Sequence, residues 1–343
     1  MTMFQIDLSP DDAQIIDQIV NDLDARYDSV EDPDFLDEAV VRAHELPGTL
    51  RSGLARFKLR EHAPVCRVSG WRFDDASIGR TPGHWNDREA VARTRRQDFY
   101  LQLASHLLGE TVAWATEQGA HMVHEVLPIA GNEGGQLGTS TDQLYWHTED
   151  AFHPERMDYV ALLCLRNHDR VATTYASVDD LDLDAETRFE LFRPAYPFLP
   201  DEGNRAEREM SAEASGLALD LAARGHAQVQ RMYHEPELVP ALFGSEDSPY
   251  IRVHPHYIAD FGDDVAAAKA FDRLKDAVNN ALRDIVLAPG DLFFIDNFKA
   301  VHGRREIPGR FDGTDRWLKR SFIVRDLRKT RALRVSSQDR VVY

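Results

Sequence analysis

Residues 145–153 read Tyr145-Trp146-His147-Thr148-Glu149-Asp150-Ala151-Phe152-His153. The text entering His147 predicts a strand over 144–147. On an extended backbone residues i and i+2 share a face, so the His147 imidazole and the Glu149 carboxylate are presented together. A second imidazole, His302, arrives far downstream, after the apolar run Leu292-Phe293-Phe294-Ile295. Two imidazoles and a carboxylate on one side of a metal leave its other positions open. In a chain with 14 His that spacing alone is a weak signal, and its weight comes from the surrounding text.

Further short strands are predicted over 63–68, 122–127, 159–165, 172–176, 251–253, 291–295 and 319–324. Ser9-Pro10-Asp11-Asp12 opens a helix in which Ile15, Ile16, Ile19 and Leu23 recur at helical spacing up to about residue 26. Helical text also covers 33–44, 50–59, 96–118 and 265–286. Many short strands separated by turn residues suggest a β-sandwich or jelly roll. We expect one domain over 1–343: a mostly helical N-terminal part (1–120) packed on a barrel core (121–330), with a helical, acid-rich insert at about 180–242.

Composition adds limits. The 343 residues are 43% hydrophobic, enough for a large core, and carry a net charge of −18. That charge argues against nucleic acid and anionic membrane as partners. The N-terminus has no apolar run long enough for a signal peptide or a membrane span, so a cytoplasmic protein is expected. Cys66 and Cys164 sit in apolar text and are expected as two buried thiols.

The segment around His302 is cationic: Ala300-Val301-His302-Gly303-Arg304, then Asp312-Gly313 and Asp315-Arg316-Trp317-Leu318-Lys319-Arg320. A guanidinium drawn into such an apolar wall usually faces a carboxylate. Together with 146–152, Asp158-Tyr159-Val160, Leu165-Arg166-Asn167, Val171-Ala172-Thr173-Thr174 and Phe294-Ile295-Asp296-Asn297, this text resembles the clavaminate synthase-like branch of the Fe(II)/2-oxoglutarate dioxygenases. Within it, the chain is similar to the free-amino-acid hydroxylases of peptide-antibiotic pathways, such as the viomycin-pathway arginine hydroxylase.

The resemblance implies a mainly β fold with helical additions around a double-stranded β-helix (jelly roll). It implies Fe(II) held by His147, Glu149 and His302, two of whose remaining positions 2-oxoglutarate chelates. Arg316 and Thr173 would anchor the distal carboxylate of 2-oxoglutarate, and Arg320 the α-carboxylate of the amino acid. Glu117 and Glu149 would hold the substrate amine. The Gly-rich loop 131–140 would act as a lid whose hydroxyl, Thr139 or Ser140, meets the substrate carboxylate. With O2, such an enzyme hydroxylates an unactivated C3 or C4 and releases succinate and CO2.

One departure concerns the substrate. Where the arginine-hydroxylating relatives carry two aspartates, this chain has His254 and His256. Two imidazoles do not stabilise a buried guanidinium, whereas a neutral imidazole donates an N–H to a carbonyl. Citrulline is therefore expected, with arginine, glutamine and glutamate as alternatives. Two other classes are a zinc hydrolase or binding protein on the same barrel, and a dioxygenase acting on a carrier-bound aminoacyl group; Arg320 argues against the latter.

Overall fold

The computed structural model describes residues 3–132, 134–205 and 216–343; Glu133 of the Gly-rich loop and 206–215 of the insert lie outside the described residues. An eight-stranded sheet holds β1 (Phe4–Asp7), β2 (Val65–Ser69), β3 (Glu110–Trp114), β4 (His124–Val126), β6 (Tyr159–Arg166), β11 (Leu292–Asp296), β13 (Trp317–Val324) and β14 (Val341–Val342). A four-stranded sheet runs in the order β10 (Arg283–Ile285), β7 (Thr173–Ser177), β12 (Ala300–Arg304), β5 (Leu144–His147). Strands β8 (Leu242–Gly244) and β9 (Pro249–Ile251) form a separate hairpin.

Every residue of β6 is buried, and its alternation shows what covers each face. Ala161, Leu163 and Leu165 pack with Phe294, Trp317 and the N-terminal helices Pro10–Arg26, Pro33–Ala43, Gly48–Arg60 and Arg95–His106. Val160, Leu162 and Cys164 point the other way and meet Phe293, Leu318, Tyr175 and Ala300, the last two from the smaller sheet. The outer face of that sheet, through Trp146, Ala176 and Val301, is covered by Ala267, Phe271 and Leu274 of the helix Val265–Ala281. A strand hydrophobic at every position thus lies between two apolar layers.

The expected mainly β chain holds in part: the sheets form the middle, but helices contain more residues than strands. The helix expected over 96–118 stops at His106, and the chain turns into β3 at Gly109. A Cβ at Gly109 would lie 2.2 Å from Val324 O, so the two backbones meet too closely for any side chain. The helix expected to 286 likewise ends at Ala281, ahead of β10. Strands β3, β10, β12 and β14 have no clear alternation, and the alternation of β1, Phe4-Gln5-Ile6-Asp7, spans only four residues. Cys66 and Cys164 are both free and buried. Among the described residues no helix is long and apolar enough to cross a membrane.

Strand β12 fixes the rest. It pairs antiparallel with β5 so that His302 stands opposite His147, and with β7 so that Arg304 stands opposite Thr173. The β5 ladder is irregular between His302 and Arg304, and Gly303 fills the gap. A Cβ there would come within 2.5 Å of Leu144 O and 3.0 Å of both Thr174 Oγ1 and Trp146 N. Gly303→Ala is expected to lose about 1–3 kcal/mol by overpacking this bulge. Thermal unfolding checks it: a wild-type melting temperature would show that the ladder accommodates a methyl group.

Candidate active site

The paired strands deliver both imidazoles to one end of the space between the sheets, and the chain leaving β5 returns Glu149 to them. His147 Nε2 lies 3.5 Å from Glu149 Oε2, and His302 Nε2 lies 3.6 Å from Glu149 Oε1. One ligand atom from each residue falls within 4.8 Å of the other two. His147 Nδ1 donates to Tyr145 O at 2.8 Å, which leaves Nε2 unprotonated for a metal. Among the described residues the buried His302 Nδ1 has no hydrogen-bond partner. The Glu149 backbone is held as well: its N donates to Asn297 Oδ1 at 2.8 Å, while Asn297 Nδ2 donates to Glu149 O and Met157 O. Burial opposes ionisation of Glu149, but the Arg320 guanidinium outweighs it and holds the carboxyl well below the usual range. A carboxylate and two aligned imidazole nitrogens are a donor set that suits Fe(II).

These groups border a cavity of about 340 Å³, a size common for small-molecule sites. Arg316, Leu318 and Arg320 alternate along one wall, as even spacing on a strand requires. Arg316 is buried, donates to Thr173 Oγ1 at 3.0 Å, and keeps its Nε without a partner. Among the described residues no carboxylate pairs with it, contrary to the rule for buried guanidinium, and burial lowers its pKa to about 10. Such a group is suited to an anion.

Arg320 differs. It donates to Glu149 Oε1 at 3.1 Å, to Glu117 Oε2 and to His124 Nδ1 at 2.8 Å. The expected holders of the substrate's amine and carboxylate, Glu117, Glu149 and Arg320, therefore form one ionic cluster in the cavity wall. Glu117 lies just before a 3-10 turn, Gln118–Ala120, rather than on a helix. Thr139 lines the cavity, whereas Ser140 is fully buried outside it and accepts from Asp142 N.

The two substrate imidazoles separate. Val253 exchanges hydrogen bonds with Thr148, which sets His254 against His147 with ring centroids 5.1 Å apart and planes 24° apart. His254 Nδ1 accepts from the His256 and Tyr257 amides, so its proton is on Nε2. His256 is exposed, packs on Tyr145 and lies outside the cavity lining, because the bend after Pro255 turns it away. Asp201 and Asn204 from the insert, and Gln136 from the Gly-rich loop, line the cavity as well. No periodicity or motif marks them in the sequence.

The pattern of the Taurine catabolism dioxygenase TauD, TfdA family matches residues 97–322. The chain belongs to that family, and the zinc-hydrolase alternative is set aside. It is 39% identical over 342 residues to enduracididine beta-hydroxylase of Streptomyces hygroscopicus, covering 99% of this chain and 100% of that one. It is 37% identical over 346 residues to L-ornithine/L-arginine 3-hydroxylase of Catenulispora acidiphila, again over 99% and 100% of the two chains. The non-heme iron oxygenase OrfP, in complex with Fe, succinate and (3S)-hydroxy-L-Arg, matches with a TM-score of 0.91 at 38% identity over 99% of each chain. Other OrfP structures hold Fe with alpha-ketoglutaric acid and Fe with L-Arg.

His147→Ala or His302→Ala is expected to abolish iron binding and turnover together, since each removes one of three protein ligands. Metal analysis of the reconstituted variants checks this; iron-dependent hydroxylation by either one would break the triad. Arg316→Ala is expected to raise the 2-oxoglutarate requirement roughly a hundredfold, about 3 kcal/mol for a desolvated charge-assisted pair. An unchanged apparent constant would put the anchor elsewhere.

Proposed function

We propose that this protein hydroxylates C3 or C4 of a free L-amino acid with an arginine-type side chain, using Fe(II), 2-oxoglutarate and O2. The observation that carries the reading is the meeting of the His147, Glu149 and His302 ligand atoms with the unpaired Arg316 guanidinium on one cavity. When bound, iron and 2-oxoglutarate supply the oxidising power that converts C–H to C–OH, with succinate and CO2 released. The protein's part is to choose the carbon. His147, Glu149 and His302 hold the metal, and Arg316 with Thr173 orients the co-substrate. Glu117, Arg320 and Thr139 receive the amino acid's two charged ends.

The substrate reading moves from citrulline to arginine and its cyclic guanidino relatives. Citrulline rested on two imidazoles, and only His254 lines the cavity. Relatives similar over the whole chain are named for enduracididine and for ornithine and arginine. Asp201 adds a carboxylate to the lining. Citrulline stays as the second reading because the His254 Nε2–H would serve a ureido carbonyl. The same proposal takes the facing sheets as a double-stranded β-helix, residues 1–343 as one dioxygenase unit, and specialised peptide-antibiotic metabolism in the cytoplasm as its setting.

Mass spectrometry of the iron-loaded enzyme against free arginine, enduracididine, ornithine, citrulline, glutamine and glutamate tests it. Arginine or enduracididine is expected to gain one oxygen with matching succinate release. His254→Asp is expected to widen the preference for arginine over citrulline by about tenfold or more, the scale of a new buried charge pair. Exclusive turnover of citrulline would overturn the arginine assignment.

A further inference from the structure

Arg304 is a second buried cation on the anion side of the cavity, and the reading above gives it no task. It follows His302 by two residues on β12, so it projects on the same side, opposite Thr173. Thr173 is the residue whose hydroxyl accepts from Arg316. Arg304 is buried, lines the cavity and, among the described residues, pairs with no carboxylate. Its Nη2 donates to Ser140 O at 2.7 Å and to Asp142 O at 3.0 Å, which uses both protons of that nitrogen. Among the described residues Nη1 donates once, to Arg305 O at 3.0 Å, and the buried Nε has no partner. Nη2 is thus spent on the end of the Gly-rich loop, while the neighbouring Nε–H has no acceptor among the described residues and stays available next to Arg316.

That loop is part of the amino-acid site: Gln136, Leu137, Gly138 and Thr139 all line the cavity. A planar guanidinium gripping two loop carbonyls with Nη2 and an anion with its Nε–H ties the two sites rigidly together, which a single ammonium cannot do.

We propose that Arg304 is a positioning residue that shares the distal carboxylate of 2-oxoglutarate with Arg316 and passes its occupancy to loop residues 136–142, so that each substrate tightens the other's binding. This rests on the placement of 2-oxoglutarate at Arg316 given above. Coupling of this kind is reciprocal: the factor by which the co-substrate improves amino-acid affinity equals the factor in the other direction.

The test measures binding of each substrate to anaerobic iron-loaded enzyme, with and without the other, in wild type, Arg304→Met and Arg304→Lys. Wild type is expected to show reciprocal tightening. Arg304→Met is expected to lose about tenfold in 2-oxoglutarate affinity and to lose the coupling. Arg304→Lys keeps the charge but not the fork, so it is expected to recover most of the 2-oxoglutarate affinity while the coupling stays lost. A merely structural Arg304 would not split the two readouts between Met and Lys. Wild-type 2-oxoglutarate affinity in Arg304→Met, or full coupling in Arg304→Lys, overturns the proposal alone. Wild-type enzyme that binds no 2-oxoglutarate takes down both this and the functional reading.

Discussion

The register between β5 and β12 is the constraint on which the site depends. His147 and His302 are Cα partners in an antiparallel ladder, so their side chains rise from the same face of the sheet. A slip of one residue would send one imidazole to the opposite face, among Trp146 and Val301. Two features guard the pairing. Gly303 admits the close approach of the β5 backbone, and Asn297 ties the chain around Glu149 to the turn between β11 and β12. Precision at the metal ligands is therefore a property of paired backbone, with side-chain packing adding support.

Strand β13 carries the charge balance of the core on both faces. Toward the cavity it presents Arg316 and Arg320. On its other face Lys319, with no exposed surface, lies 2.7 Å from Asp98 and 2.8 Å from Glu125. Ser321 accepts from Gln102 Nε2 at 2.9 Å, and Trp317 Nε1 donates to Glu125. Desolvating such a cluster costs several kcal/mol per ion, so its net gain in stability is small. What it supplies is orientation: the helix Arg95–His106 can dock on β13 in one register only, and the two cavity arginines inherit that register.

Much of this is legible in the sequence, for identifiable reasons. His147 and Glu149 could be paired because two residues on a strand are a local relation. Arg316, Leu318 and Arg320 on one wall follow from the same alternation. His302 was placed by resemblance, since its short strand is broken by Gly303 and lacks alternation. His256 failed as a cavity residue because the i, i+2 rule holds only where the backbone is extended, and the chain bends at Pro255. Asp201 and Asn297 were invisible as site residues: the first reaches the cavity from an insert without periodicity, and the second acts through backbone groups far away in sequence. The helix read across 96–118 ignored Gly109, whose role is to let Val324 come close.

The cavity wall also divides by the kind of backbone behind it. The His147, Glu149 and His302 triad and the cavity arginines stand on or beside hydrogen-bonded strands, while Gln136, Thr139, Asp201, Asn204 and His254 come from connecting segments. Insertions and exchanges in such connections leave strand pairing intact. Descendants of an ancestral gene can therefore acquire a taste for a different side chain without relearning how to activate oxygen. On that view a new side chain at a loop position such as 254 changes the diet, over a combustion chamber that is left alone.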